Sequence, residues 1–299
     1  MAILVGSASW ADKGLIACKR FYPPGVSTAE ARLRYYAAQF PIVEVDSSYY
    51  AMPSVRNSQL WATRTPDDFV MNVKAFRLLT GHHTDPSALP GDIRLALGDV
   101  SRQIYYRQVP AEIRDEMWRR FIDAVAPLKE AGKLGAVLFQ FPSWLINNRE
   151  GRDHVAHCAE RMQGHCMAIE FRHPSWFWAD RRAATLEFER SLGAVNVVVD
   201  EPEVPDTSIP SVWEATHSSL AVVRLHGRNA ASWNPRGIAH SSGRFNYDYP
   251  EEELADIAAK IRRLAERVSD VHVILNTNNE DQGPRNARKL MRALQASGG

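Results

Sequence analysis

The sequence predicts a single α/β domain over residues 1–299, a closed (β/α)8 barrel of the TIM type. Three observations predict it. Eight short apolar runs recur along the chain, and most intervals between them carry the 3.6-residue period of helices. Within the runs, polar side chains take every second position and collect toward the C-terminal ends. Such alternation argues for a parallel sheet clothed by helices, with the polar C-terminal ends gathered at one mouth. With 299 residues and 45% hydrophobic content, the chain can bury a core of that size.

Run one, ILVGSAS at 3–9, leaves open whether Ser7 and Ser9 or Ala8 and Trp10 face inward. Ser27 with Glu30 reads as a capping box for a helix carrying Leu33, Tyr36 and Ala37. In IVEVDSS (42–48) the valines face the helices, leaving Glu44 and Asp46 inside, and FVMNVKA (69–75) likewise leaves Asn72 and Lys74 inside. A loop-rich insertion is expected over 77–110. GAVLFQF (135–141) places Ala136, Leu138 and Gln140 inside, with Gly132 and Gly135 where a helix C-cap is expected. MAIEFRH (167–173) turns Glu170 and Arg172 inward; NVVVDEP (196–202), which follows Gly193, turns Val198 and Asp200 inward. Over 201–219 only a weak, short helix is expected, in VWEATH. AVVRLHG (221–227) has Val222 filling the barrel while Arg224, His226 and Arg228 rise to the mouth. Pro250 and three glutamates open a helix with a Leu254, Ile257, Ala258, Ile261, Leu264 stripe. Last comes VHVILNTN (271–278), with Ile274, Asn276 and Asn278 inside.

Lysine plus arginine (36) nearly equals aspartate plus glutamate (35), so bulk charge offers no pull toward duplex nucleic acid or anionic membranes. Cys18, Cys158 and Cys166 have neither disulfide-framework nor zinc-site spacing, and the start MAILVGSASW carries no basic leader region. A cytoplasmic protein without a membrane span is expected. The oligomeric state is left open.

The inward polar set needs a reason, because unpaired buried charge is expensive. One reason is a self-satisfied ion-pair network of Lys74, Arg172, Arg224 and Arg228 with Glu44, Asp46, Glu170 and Asp200. The other is a ligand site, since this fold places its chemistry at the C-terminal mouth. Glu170 and Asp200 are then candidate general acid and base, Lys74 an electrostatic stabiliser and His226 a neutral donor or acceptor. Arg172, Arg224 and Arg228 suit phosphate or carboxylate oxygens. Gln140, Glu44, Asp46, Asn276, Asn278, Trp10 and Tyr49 complete the ligand-binding set. Trp144, Trp176, Trp178, Trp233, Tyr50 and Phe177 also follow strands, as an aromatic rim would. His82, His83, His154, His157 and His165 read as surface or loop residues. No cofactor is expected; a divalent metal, if bound, would sit on Glu170, Asp200 and His226.

Several motifs together resemble the domain of unknown function 72 family (DUF 72, YecE-like) over nearly the full length. They are GSASW at 6–10, FYP at 21–23, VEVDSSYY at 43–50, FQFP at 139–142, EFRHPSWF at 170–177, VRLHGR at 223–228 and NTNNEDQGPRNA at 276–287. The resemblance implies a sugar-isomerase-related TIM barrel and leaves the activity open. The leading expectation is an enzyme working by acid/base chemistry on a small anionic (phosphorylated or carboxylated) or sugar-like molecule, as isomerase, lyase or hydrolase. A phosphodiester or nucleic-acid-processing barrel and a noncatalytic metabolite binder are the alternatives.

Overall fold

The structure, a computed structural model, describes residues 1–98, 102–205, 207–233 and 245–296. Its strands are β1 (Ala2–Ala8), β2 (Ile42–Val45), β3 (Val70–Lys74), β4 (Leu134–Gln140), β5 (Met167–Glu170), β6 (Val195–Asp200), β7 (Leu220–Leu225) and β8 (Asp270–Leu275). They pair in chain order, all parallel, and β8 returns to β1 to close the barrel. Closure removes both sheet edges, and the intervening helices cover the outer face.

Register decides which residues look inward, because paired positions on neighbouring parallel strands share a face. Arg224 pairs with Ile274, Ile274 with Gly6, Ala8 with Glu44, Glu44 with Asn72 and Gln140 with Glu170. All of these face the interior, which settles run one in favour of Ala8. Ser7 faces outward, where its backbone N–H donates to the Tyr36 hydroxyl at 2.7 Å. Below the polar mouth, Ala8, Ile42 and Ile274 pack with Leu4 and Val70 into an apolar interior layer.

Between β6 and β7 the described residues of 201–219 form no helix, which corrects the expectation of a short one in VWEATH. Asn196 is the physical reason. Its Nδ2 donates to the carbonyls of Val212 (3.2 Å) and Glu214 (3.0 Å), so the segment is tied along the outer face of β6 instead of coiling. Pro202, Pro205 and Pro210 also deny it backbone donors. The insertion after β3 is more ordered than its composition suggests, with a helix at Gly91–Ala96 and a bridge between Thr84 and Ile104. The helix Ala29–Ala37 is capped by Thr28, whose hydroxyl accepts from Ala31 N, one residue beyond the expected Ser27. Glu30 instead pairs with Arg34 and Arg64. Gly132 and Gly193 end helices with positive φ, as expected, while Gly135 belongs to β4. The Leu254, Ile257, Ala258, Ile261, Leu264 stripe is wholly buried. No helix among the described residues is long and apolar enough to cross a membrane.

Gly6 marks the tightest backbone approach, since a Cβ there would lie 1.9 Å from the Ile42 carbonyl oxygen inside the barrel. Gly6→Ala is therefore expected to cost roughly 1–3 kcal/mol in unfolding free energy by forcing β1 from β2. Urea denaturation checks this; an unchanged midpoint would contradict the packing described.

Candidate functional site at the barrel mouth

The strand ends build the mouth in two storeys. The lower one is a closed set of charges around Arg224, which is fully buried. Its Nε and Nη2 donate to the Glu44 carboxylate at 2.9 and 2.6 Å, and its Nη1 donates to Glu170, so one guanidinium joins β2, β5 and β7. Glu170 also accepts from Gln140 Nε2 at 2.9 Å, Arg172 Nη1 at 3.3 Å and His226 Nε2 at 3.2 Å. Asn276 Nδ2 donates to His226 Nδ1 at 2.8 Å, which leaves the histidine proton on Nε2, facing Glu170. Arg172 reaches across to Glu201 at 2.7 Å, and Glu201 accepts the Ile209 N–H as well.

These environments push the ionisable groups apart. Burial pushes Glu170 up, but Arg224, His226 and Arg172 outweigh it and hold the group well below the usual carboxylate range. Burial prevails at Glu44 and Glu201, which are raised despite their arginine partners. At Glu44 the nearby Asp46 charge adds to the effect of burial. His226 is driven down to about 3 by burial and stays neutral, consistent with its hydrogen bonds.

The upper storey is an open cavity of about 570 Å3. Lys74 and Asp46 stand on its wall, paired at 2.9 Å, with the lysine ammonium 4.6 Å from the Tyr49 ring centre. Their side chains are 10% and 24% exposed, so this pair, unlike Arg224 with its carboxylates, can meet a ligand. Asp46 is lowered; burial opposes this, but the Lys74 charge and hydrogen bond prevail. Gln140, Arg172, Asn276 and Asn278 supply the other polar lining among the predicted residues, and Tyr49, Tyr50, Trp144, Trp233 and Phe245 supply aromatic faces. Arg172 lies 5.2 Å from the centre of the Trp233 ring.

Several predicted placements are corrected. Val199 pairs with Arg224 and Val197 with Val222, so β6 turns Val197 and Val199 inward and Val198 and Asp200 outward, the reverse of the sequence phase. Asp200 therefore leaves the mouth and binds Arg228, at 2.6 Å, and the Tyr249 hydroxyl, at 2.7 Å, on the helix side. Arg228 leaves with it, because Gly227 takes φ 86° and redirects the chain. The next residue, Glu201, supplies the inward carboxylate instead; adjacent acids at 200 and 201 hide the phase from sequence alone. The three arginines do not converge, since Arg224 is sealed and Arg228 faces away. The proposed metal set of Glu170, Asp200 and His226 is divided by the barrel wall, and the described residues contain no group of three or more metal-ligating side chains placed to hold an ion. Trp10 packs edge-on against Trp61 at 5.7 Å, and Trp176 stacks on Phe171 at 3.8 Å, so both are core residues and not rim.

Besides Glu201, sequence reasoning missed His82, which it read as a surface or loop residue. It lines the cavity between Tyr49 and Trp144, bonds Thr80 Oγ1 through Nδ1 at 2.8 Å, and is driven down to about 3 chiefly by burial. Its position inside an insertion, outside any strand period, gave no cue.

The family described as "Protein of unknown function DUF72" matches residues 4–299. The chain belongs to the DUF72 family. It is 31% identical over 294 residues to the UPF0759 protein YunF of Bacillus subtilis, covering 98% of this chain and 94% of that protein. A crystal structure of a DUF72 family protein from Enterococcus faecalis is similar at 25% identity and TM-score 0.81, covering 99% of this chain and 97% of the other. Another, from Thermotoga maritima, is similar at 28% identity and TM-score 0.74, covering 99% and 100%. The DUF72 barrel is thus shared by this chain along its length.

Arg224→Ala strands two buried carboxylates and is expected to lower stability by about 3–5 kcal/mol, measured by urea unfolding. The pH dependence has a definite sign. An unfolded histidine titrates near 6.5, whereas His226 in the fold titrates near 3, so below about pH 6.5 the unfolded chain takes up the proton first. Its contribution is full above pH 6.5 and is lost as pH falls toward 3. His226→Gln is accordingly expected to lose less stability than the parent chain between pH 7 and 4; equal losses in calorimetry would argue against a buried neutral imidazole.

Proposed function

We propose that the protein is an enzyme that binds a small, neutral, sugar-like molecule at the barrel mouth and moves a proton on it, with Asp46 and Lys74 as the reacting pair. The observation that carries this reading is the accessible ion pair on the wall of a cavity whose other lining includes the amides Gln140, Asn276 and Asn278, several aromatic rings, and Arg172, itself held by Glu170 and Glu201. Amide groups match hydroxyls that both donate and accept, and aromatic faces suit the apolar faces of a sugar ring. Asp46, held ionised, serves as base; the Lys74 ammonium stabilises negative charge developing on an adjacent oxygen.

Charge favours a neutral substrate over a phosphorylated one. Among the described residues, Glu44, Asp46, Glu170 and Glu201 face Lys74, Arg172 and Arg224, four acids against three basic groups, so these side chains leave no surplus positive charge for an anion. The same count weighs against a phosphodiester substrate. Among the described residues, Asp46 is the only acidic side chain lining the cavity. Glycoside hydrolysis ordinarily uses two carboxyl groups flanking the bond, so isomerase or lyase chemistry beside a carbonyl fits better. Glu170 and His226, sealed below, position Gln140, Arg172 and Asn276.

Thermal-shift screening with neutral aldoses and ketoses beside their 6-phosphates tests the substrate class. Neutral sugars are expected to stabilise the protein more; a consistent preference for the phosphates would overturn the proposal. For a sugar that is turned over, Asp46→Asn should lower kcat by about 100-fold or more while changing affinity less than about tenfold. Retained turnover would remove Asp46 from the chemistry.

A further inference from the structure

A second cavity, of about 470 Å3, adjoins the first, and the two share Trp144 as a lining residue. It lies between the insertion after β3 and the loop following β4, and its character differs. Tyr105, Tyr106, Leu145 and Ile146 join Trp144 in lining it. The nearby charges neutralise one another, because Arg107 pairs with Glu150 at its edge. The Asn148 carboxamide oxygen is taken by the N–H of Gly151, capping the helix Arg149–Arg161.

The partition between the cavities is itself aromatic. His83 stacks on Trp144 with ring centres 5.8 Å apart, and His82 meets the same indole edge-on at 5.5 Å. Trp144 nevertheless remains 50% exposed, while Tyr105 and Ile146 are 43% exposed. Trp144, Tyr105 and Ile146 thus offer half-exposed apolar surface directly beside a polar cavity. Since Trp144 belongs to both cavities, a molecule seated in the first can cross it without leaving the protein surface.

We infer that the two cavities form one bipartite site, in which the mouth takes a polar sugar-like head and the second cavity takes an apolar, ring-bearing substituent of the same molecule. The inference rests on the sugar reading above and adds to it the class of substituent. Ring burial against Trp144, Tyr105 and Ile146 adds affinity to what the mouth gives the head.

Matched methyl and phenyl glycosides of glucose, galactose, mannose and xylose, measured by calorimetric titration, test it. For any sugar that binds, the phenyl compound is expected to bind about tenfold or more tightly than the methyl compound. The double variant Tyr105→Ser with Ile146→Ser alters two half-exposed side chains that line only the second cavity, and it should erase that difference while leaving methyl glycoside affinity unchanged. Equal affinity of methyl and phenyl compounds overturns the bipartite site and leaves the sugar reading standing. A phenyl advantage that survives the double variant overturns it too, by placing the ring elsewhere. If neither member of any pair binds, the bipartite site is overturned, and the sugar reading stands or falls on the free aldoses and ketoses of the thermal-shift screen.

Discussion

The mouth of this barrel depends on one guanidinium. Arg224 sits where water cannot reach it and holds the carboxylates of Glu44 and Glu170, which arrive on strands from across the barrel. Each of the three would be costly to bury alone. Together they are tolerated because the guanidinium fork offers donors in several directions at once, and Gln140, Arg172 and His226 donate further hydrogen bonds to Glu170. The ion-pair explanation and the ligand-site explanation therefore each apply, at different depths. The sealed storey satisfies itself, and the open storey above it keeps polar groups available.

Depth also separates roles. A carboxylate with four donors and no exposure, such as Glu170, makes a poor base but a good anchor for the side chains that reach the cavity. Lys74 and Asp46, higher on their strands and partly exposed, keep their charges near a ligand. Outside the barrel a separate polar cluster joins the mouth to the helix Glu251–Ala265. The Tyr249 hydroxyl donates to Asp200 and accepts the Gly227 N–H, and Arg228 contacts both Asp200 and Glu253. Gly227 makes this possible: a Cβ there would lie 2.5 Å from Tyr247 Cβ, and its positive φ suits glycine. Gly227 and Arg228 at the end of VRLHGR thus form a structural latch, while Arg224 and His226 form the floor of the site.

Composition and period alone carried the closed eight-stranded barrel, the eight strands to within a few residues, and the inward direction of Glu44, Lys74, Gln140, Glu170, Arg224 and Asn276. In each of those runs one face is plainly apolar, so burial against the helices leaves a single workable phase. Tertiary structure decided the rest. In β6, valines occupy successive positions, so neither face is marked and the register with β7 sets the phase, sending Asp200 outward and Glu201 inward. His82 and the second cavity come from an insertion with no repeating pattern, where position follows from packing against the barrel top. Which charges were sealed and which stayed open was likewise settled only in three dimensions, because a side chain's solvent contact depends on strands distant in sequence.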